Sequence, residues 1–185
     1  MESRPMAMTI ADVEKVQRLF PDYRIELRDG VITIMSPSDA VSGIVGVRLS
    51  TRLNLWVEQR ALGYVFDAGT GFCPPNTDLT APDVSFVSRE RLGRAPRTYA
   101  QVVPNLVAEI KSSTDRLKVL EEKLLAYLAI GAEVGLLLDP DKRTVSVYRP
   151  GRLLEVLSGT DSLRFADVLS GWEVPVSELW PPVFD

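Results

Sequence analysis

The chain has 185 residues, of which 45% are hydrophobic and 25% charged, a composition typical of one soluble globular domain. Histidine is absent and Cys73 is the single cysteine, which excludes an intrachain disulfide, a Ser-His-Asp or Cys-His mechanism and a Cys/His zinc site. The net charge of −4 argues against a protein that coats nucleic acid, because such proteins need a concentrated basic surface. Any bound metal must have oxygen ligands, which favours Mg²⁺ or Mn²⁺.

The polar N-terminus and the lack of any apolar run near the ~20 residues of a membrane span predict a cytoplasmic protein without a membrane segment.

Hydrophobic periodicity predicts alternating helices and strands in the first half of the chain. In chain order these are a helix at 9–20, a hairpin of strands 23–28 and 31–35, a long helix at 40–61, a strand at 64–66 that resumes at 71–72, a polar loop at 74–78 and a strand at 81–87. Asp29-Gly30 favours the tight turn of the hairpin. The polar residues 36–39 end the hairpin and supply a cap for the long helix.

The second half predicts a crossover unit followed by antiparallel strands. In chain order these are a loop at 88–104, a strand at 105–111, a helix at 116–130, strands at 134–138, 144–149 and 152–157, and a tail of irregular cover over the core. Several N-cap side chains are available at 112–115. The order predicts one α/β domain over 1–185, with a mixed β-sheet flanked by a long helix on each side. Its core spans about 20–150 and its cover 151–185.

Three charged residues lie in strands that are otherwise apolar. Glu109 and Lys111 share one face of their predicted strand, roughly 6–7 Å apart along it. Asp83 opens the strand at 81–87. If the two strands are neighbours, Asp83 and Glu109 can hold one divalent ion while Lys111 stabilises charge on a phosphodiester. The alternative is a simple ion pair between Glu109 and Lys111 at a sheet edge.

Pro82-Asp83 followed by Glu109-Ile110-Lys111 resembles the PD-(D/E)xK nuclease superfamily, and the chain resembles more closely its Uma2 family of restriction endonucleases. The stretches that carry this resemblance are 23–30, 35–37, 81–87, 104–109, 112–114, Lys123 with Tyr127, and 138–140. The resemblance implies a restriction-endonuclease-like core and Mg²⁺- or Mn²⁺-dependent cleavage of phosphodiester bonds. Asp83 and Glu109 would be metal ligands and Lys111 the catalytic lysine.

The resemblance also points to Glu26 and Lys123. Glu26 matches the acidic residue of the family's first hairpin; it is either a further metal or water contact or a solvent-facing strand residue. Lys123 and Tyr127 share one side of their helix. In many relatives a helix lysine replaces the Glu-x-Lys lysine. Because Lys111 is present, Lys123 either supports it in catalysis or pairs with a surface acid, and we favour an ordinary solvated lysine. Tyr127 is expected to pack in the core.

Two features bear on substrate binding. Four arginines in the loop between the site strands are candidates for phosphate contacts, although we favour a solvated charged loop: Arg89, Arg91, Arg94 and Arg97. Relatives often carry a histidine near Val41 or Ser42, and its absence here implies reduced or altered activity.

The sequence thus favours an endonuclease acting on DNA, and a homodimer, since cutting both strands usually requires two sites. The alternatives are a non-catalytic nucleic-acid- or protein-binding module that retains the fold, and a hydrolase of a small phosphorylated molecule.

Overall fold

Helices and strands alternate along the chain largely as the periodicity predicts, in a computed structural model that describes residues 7–74 and 78–184. The helices are α1 (Ile10–Leu19), α2 (Ala40–Gln59) and α3 (Leu117–Ala129), with a 3₁₀ helix at Val176–Leu179. The strands are β1 (Arg24–Arg28), β2 (Val31–Met35), β3 (Gly63–Asp67), β4 (Val84–Ser88), β5 (Leu106–Ile110), β6 (Val134–Asp139), β7 (Thr144–Tyr148), β8 (Glu155–Ser158), β9 (Ser162–Phe165) and β10 (Leu169–Pro175). Within the described ranges, no helix is long and apolar enough to cross a membrane.

The main sheet has six strands in the order β3-β4-β5-β6-β7-β8. All neighbours are antiparallel except β5 and β6, which run parallel and are joined by α3. This confirms the predicted mixed sheet. In the β4–β5 pair, Val84 lies opposite Ala108. The start of β4 therefore lies beside the end of β5, which brings Asp83 and Glu109 to the same edge of the sheet.

The two faces of the sheet bury different sets of side chains. Leu106, Ala108 and Ile110 of β5 pack into the larger core with α2 and the β9–β10 hairpin, while Val107 packs against α3. Because side chains alternate along a strand, Glu109 lies on the α3 face. One long helix on each face agrees with the predicted architecture.

The C-terminal cover is more regular than the sequence suggests. The prediction of an irregular tail was wrong, because β9 and β10 pair as an antiparallel ribbon. Their apolar residues, with Trp172 and Trp180, are buried in the larger core. The strands are short and the end is rich in proline, so their apolar residues show no clear alternation in the sequence. Their burial depends on the packing of the ribbon under α2.

The N-terminal hairpin forms a separate two-stranded sheet with α1 packed against it. Its turn residues Asp29 and Gly30 have φ angles of 51° and 74°, as a tight hairpin turn requires. Leu27 exchanges backbone hydrogen bonds with Leu79 at 2.7 and 2.9 Å. That bridge docks β1 beside the segment leading to β4 and carries Glu26 into the interior.

Three local predictions need correction. The strand predicted to resume at 71–72 is reduced to isolated bridges of Phe72, and the strand predicted from residue 81 begins at Val84. The N-cap of α3 is Arg116, without a side-chain cap, because the Asp115 carboxylate accepts the backbone N–H of Ser112 instead. Part of the predicted loop at 74–78 lies outside the described residues.

Candidate active site

Asp83 is fixed by the strand that follows it and by the end of β5. Its Oδ2 accepts the backbone N–H of Ile110 at 2.8 Å. Burial raises the pKa of Asp83, while that N–H and the charges of Lys123 and Arg24 act to lower it. Its other oxygen accepts no hydrogen bond within the described part of the chain and faces a cleft. The carboxylate is therefore oriented but not saturated.

Glu109, Glu26 and Lys123 form a buried triad. Nζ of Lys123 lies 2.9 Å from Oε1 of Glu26, which also accepts the backbone N–H of Ala81 at 2.9 Å. Nζ also donates to the carbonyl of Ala81 and lies 3.0 Å from Oε1 of Glu109. The Glu109 contact is an ion pair whose angles miss hydrogen-bond geometry, so this oxygen is buried without a hydrogen bond.

The triad contains two carboxylates and only one ammonium. Burial raises the pKa of Glu109 to about 8; Lys123 opposes this shift, and Asp83 and Glu26 reinforce it. Burial acts to lower the pKa of Lys123, but Glu109 and Glu26 outweigh it and the pKa is raised. Lys123 thus stays charged. Glu26 accepts two hydrogen bonds, whereas Oε1 of Glu109 accepts none from the described residues. An ionised Glu109 would be buried without a full counter-charge, which is why its pKa is raised.

The expectation that Lys123 is a solvated lysine was wrong, because only 6% of it is exposed. Between the two readings of Glu26, the structure excludes the solvent-facing one, since Glu26 is 7% exposed. Tyr127 packs in the core as expected, and its hydroxyl lies 2.5 Å from that of Thr80. One turn of α3 therefore supplies both a core aromatic ring and the cation of the triad.

Lys111 is placed outside this group. β5 ends at Ile110, and Nζ of Lys111 lies 2.6 Å from Oδ2 of Asp141 and 3.3 Å from the carbonyl of Ser112. The hydrogen bond to Asp141 is the main reason that the pKa of Lys111 is raised. The structure thus does not bring Lys111 to Asp83 and Glu109, and it also excludes the simple Glu109–Lys111 ion pair.

Asp83 and Glu109 line a cleft of about 1030 Å³, which we call the carboxylate cleft. Its wall also carries Asp22, Arg24, Asp39 and Asp115, so five acidic side chains face one guanidinium. Both oxygens of Asp39 are engaged: they accept the N–H groups of Ser42 and Ser113 at 3.0 and 2.7 Å. Asp39 therefore caps α2, as residues 36–39 predicted, and ties it to the loop after β5.

The loop arginines lie at the opposite end of β4. Six residue steps separate Asp83 from Arg89, roughly 20 Å of extended chain. Arg91 is used internally: it donates to the carbonyls of Val103 and Gly131 and pairs with Glu133 at 2.6 Å. Arg89, Arg94 and Arg97 are exposed, as the solvated-loop interpretation expects. None of the four lines the carboxylate cleft.

The comparisons with known proteins agree with this architecture. Residues 11–177 match the Uma2 family, described as "putative restriction endonuclease". The chain belongs to the Uma2 family. A solved structure described as "a putative nuclease belonging to DUF820", from Anabaena variabilis ATCC 29413, shares the Uma2 chain's fold with a TM-score of 0.75. It is 21% identical, and the match covers 84% of this chain and 88% of that one. No curated protein matches the chain.

The Uma2 donor set fits a hard divalent cation. Within residues 7–74 and 78–184, no group of three or more Asp, Glu, Cys or His side chains is arranged to hold a metal. Two carboxylates suffice for Mg²⁺, which completes its shell with water and phosphate oxygens. The Glu109 carboxylate, whose Oε1 has an ion pair with Lys123 but no hydrogen bond, and the free oxygen of Asp83 are the groups that could fill this role.

Arg24 is the residue that sequence reasoning missed. Its Nη1 donates to the carbonyl of Ala68 at 2.8 Å, its Nε is buried without a partner, and its charge lowers the pKa of Asp83. The strand alternation of β1 places Arg24 on the same side as Glu26, which could have indicated it. The contact with Ala68 depends on tertiary packing and has no sequence signal.

Proposed function

We propose that this Uma2 chain is a divalent-metal-dependent endonuclease that hydrolyses phosphodiester bonds in DNA. The family description and the fold support a nuclease role. The observation that carries the proposal is that Asp83 and Glu109 line one cleft wall. Behind that wall the single buried ammonium of Lys123 is shared between two carboxylates, those of Glu109 and Glu26. Ionising both carboxylates is costly unless a cation shares the site, so Glu109 holds a proton at neutral pH and a bound metal would replace it.

Mg²⁺ or Mn²⁺ would be held by Asp83 and Glu109. An ion there would neutralise charge on the phosphate and lower the pKa of a water molecule for attack. The N–H of Ile110 keeps the Asp83 carboxylate turned towards the cleft. The acidic wall favours the cation and opposes DNA that arrives without it, so metal and substrate are expected to bind cooperatively.

The sequence assigned the lysine role to Lys111, and the contacts favour Lys123. Its ammonium touches Glu109 and Glu26, whereas Lys111 is paired with Asp141. Lys123 does not line the carboxylate cleft, so we propose it as a positioning residue that acts through Glu109. Glu26 fixes Lys123 and is not required as a metal ligand. We keep the homodimer as part of the proposal, since cleavage of both strands needs two sites.

The displacement of Lys111 also favours the alternative, a non-catalytic nucleic-acid- or protein-binding module that retains the fold. In such a module Glu109 and Lys111 do not have to act on the same phosphate. Binding would then survive the loss of Asp83 and no cleavage would occur.

The test is nicking of supercoiled plasmid with Mg²⁺, Mn²⁺ or EDTA, combined with Mn²⁺ binding by calorimetry. We expect metal-dependent nicking that is lost in Asp83→Asn and Glu109→Gln together with Mn²⁺ affinity. Glu90→Gln is the matched control, because Glu90 is an exposed acid in the loop at the far end of β4. Cleavage that resists EDTA, or that persists in Asp83→Asn, would contradict the proposal.

A further inference from the structure

A second cavity, of about 450 Å³, adjoins the carboxylate cleft and has a different character. The two share Asp39 and Ser113, so one opens beside the other. We call it the basic cavity for its two cations, Lys111 and Arg143, with Trp180 contributing an apolar wall. Asp39 and Asp141 also line it, but Asp39 is engaged by two backbone N–H groups and Asp141 by Lys111. It is the place to which the displaced Lys111 is directed.

Arg143 is a cation without a protein partner. It is exposed, and it makes no hydrogen bond or ion pair within the described ranges, in contrast to Arg91, Arg149 and Arg164. The Asp139 carboxylate accepts the N–H groups of Asp141 and Lys142 and so shapes the turn before Arg143. A fixed turn thus presents an unpaired guanidinium at the mouth of the cavity.

The partner of Lys111 is exchangeable. Asp141 has a side chain that is 73% exposed, whereas that of Lys111 is only 15% exposed. A surface carboxylate held by one ion pair contributes little and is easily replaced by another anion. A phosphate that enters the basic cavity can therefore take the place of Asp141 on Lys111 and accept a bidentate contact from Arg143.

The spacing suits a neighbouring phosphate of the substrate. The N–H of Lys111 donates to the carbonyl of Leu138 at 2.9 Å, so the chain stays extended beyond β5. Glu109 and Lys111 are then roughly 6–7 Å apart along the chain. One nucleotide step rises about 3.4 Å per strand along a DNA duplex, and the cavity and the cleft share Asp39 and Ser113, so neighbouring phosphates of one strand can reach both.

We propose that the basic cavity, through Lys111 and Arg143, binds a DNA backbone phosphate next to the one that is cleaved, with Asp141 as the displaced competitor. This inference rests on the proposed function. It gives the acidic Uma2 cleft a basic neighbour that holds the substrate strand, and it assigns to the Glu-x-Lys lysine a role in binding.

The test measures the affinity of each variant for a short labelled DNA duplex by fluorescence anisotropy, in Ca²⁺ and over a series of salt concentrations. Arg143→Ala and Lys111→Ala are expected to weaken binding about tenfold each. Each should also reduce the salt slope by about one unit, with unchanged affinity for Mn²⁺. Asp141→Asn frees Lys111 and should tighten binding. Arg89→Ala, which removes the same charge at the far end of β4, is the matched control.

Equal affinities for wild type, Arg143→Ala and Asp141→Asn would overturn the inference, as would weakening in Arg89→Ala that matches Arg143→Ala. In both cases a chain that still nicks plasmid keeps the proposed function. A wild type that neither binds duplex nor nicks plasmid overturns the proposed function and the inference with it.

Discussion

Replacing Lys123 with methionine tests the buried triad most directly. The substitution keeps the length of the side chain and removes the one ammonium between Glu26 and Glu109. Oε1 of Glu26 would keep the N–H of Ala81 but lose its cation, and Glu109 would lose its ion pair with the same ammonium. Removing one member of a buried ion pair typically costs about 3–5 kcal/mol of unfolding free energy. We expect a loss of that size at pH 8 without metal.

The loss should shrink at lower pH. Without the ammonium, the pKa of Glu109 rises further above its ordinary value, because burial then acts without the opposing charge of Lys123. At pH 5 the folded variant therefore keeps a proton on Glu109 that the unfolded chain, with its ordinary carboxyl pKa, has largely released, and this proton relieves the repulsion. The difference from wild type should be largest at pH 8 and smaller at pH 5.

Urea denaturation followed by circular dichroism, at pH 5 and pH 8 in EDTA, measures both effects. Lys118→Met on the same helix is the matched control, because Lys118 is 86% exposed and its ion pair with Glu122 spans 4.0 Å. Its loss should cost at most about 0.5 kcal/mol. If Lys123→Met at pH 8 is no less stable than Lys118→Met, the triad does not stabilise the fold.

Three further predictions concern neighbouring groups. Because the pKa of Glu109 is raised to about 8, its stabilising contribution is full below about pH 4.5 and is lost as the pH rises towards 8. The free energy of unfolding of metal-free wild type should thus fall by up to about 1.4 kcal/mol per pH unit in that window. Glu109→Gln should flatten this pH dependence, measured by urea denaturation, and an unchanged slope would contradict the assignment of the raised pKa to Glu109. Arg91→Ala, which removes the ion pair with Glu133 and the donor to three backbone carbonyls, should destabilise the fold by about 2 kcal/mol without changing duplex affinity; weaker binding would instead favour the loop as a phosphate contact. Asp39→Ala should cost about 1 kcal/mol through the lost α2 cap and increase amide exchange at Ser113, and unchanged exchange would refute the tie.

Much of the fold follows from local patterns in the sequence. Periodicity located α1, α2 and α3 and most strands of the sheet, because the spacing of apolar residues is fixed by which face is buried. The β9–β10 ribbon was missed, since its short strands bury their apolar residues only under α2.

The site residues divide in the same way. Asp83 and Glu109 could be proposed from the sequence because a carboxylate in a buried apolar strand needs a compensating partner. The absence of histidine required oxygen ligands for any metal. The sequence favoured Lys111 over Lys123, since Lys111 completes the Glu-x-Lys pattern, whereas the contacts of the folded chain favour Lys123.

The sequence by itself determined the order of elements, the oxygen-only ligand chemistry and the two strand carboxylates. The tertiary structure alone decided that Lys123 contacts Glu109 and that Lys111 pairs with Asp141 instead. Lys123 and Glu26 are 97 positions apart, so their contact requires α3 and the N-terminal hairpin to meet at the segment that leads into β4. Local sequence fixes which face of an element is apolar, but the charged groups that meet across such distances are set by packing.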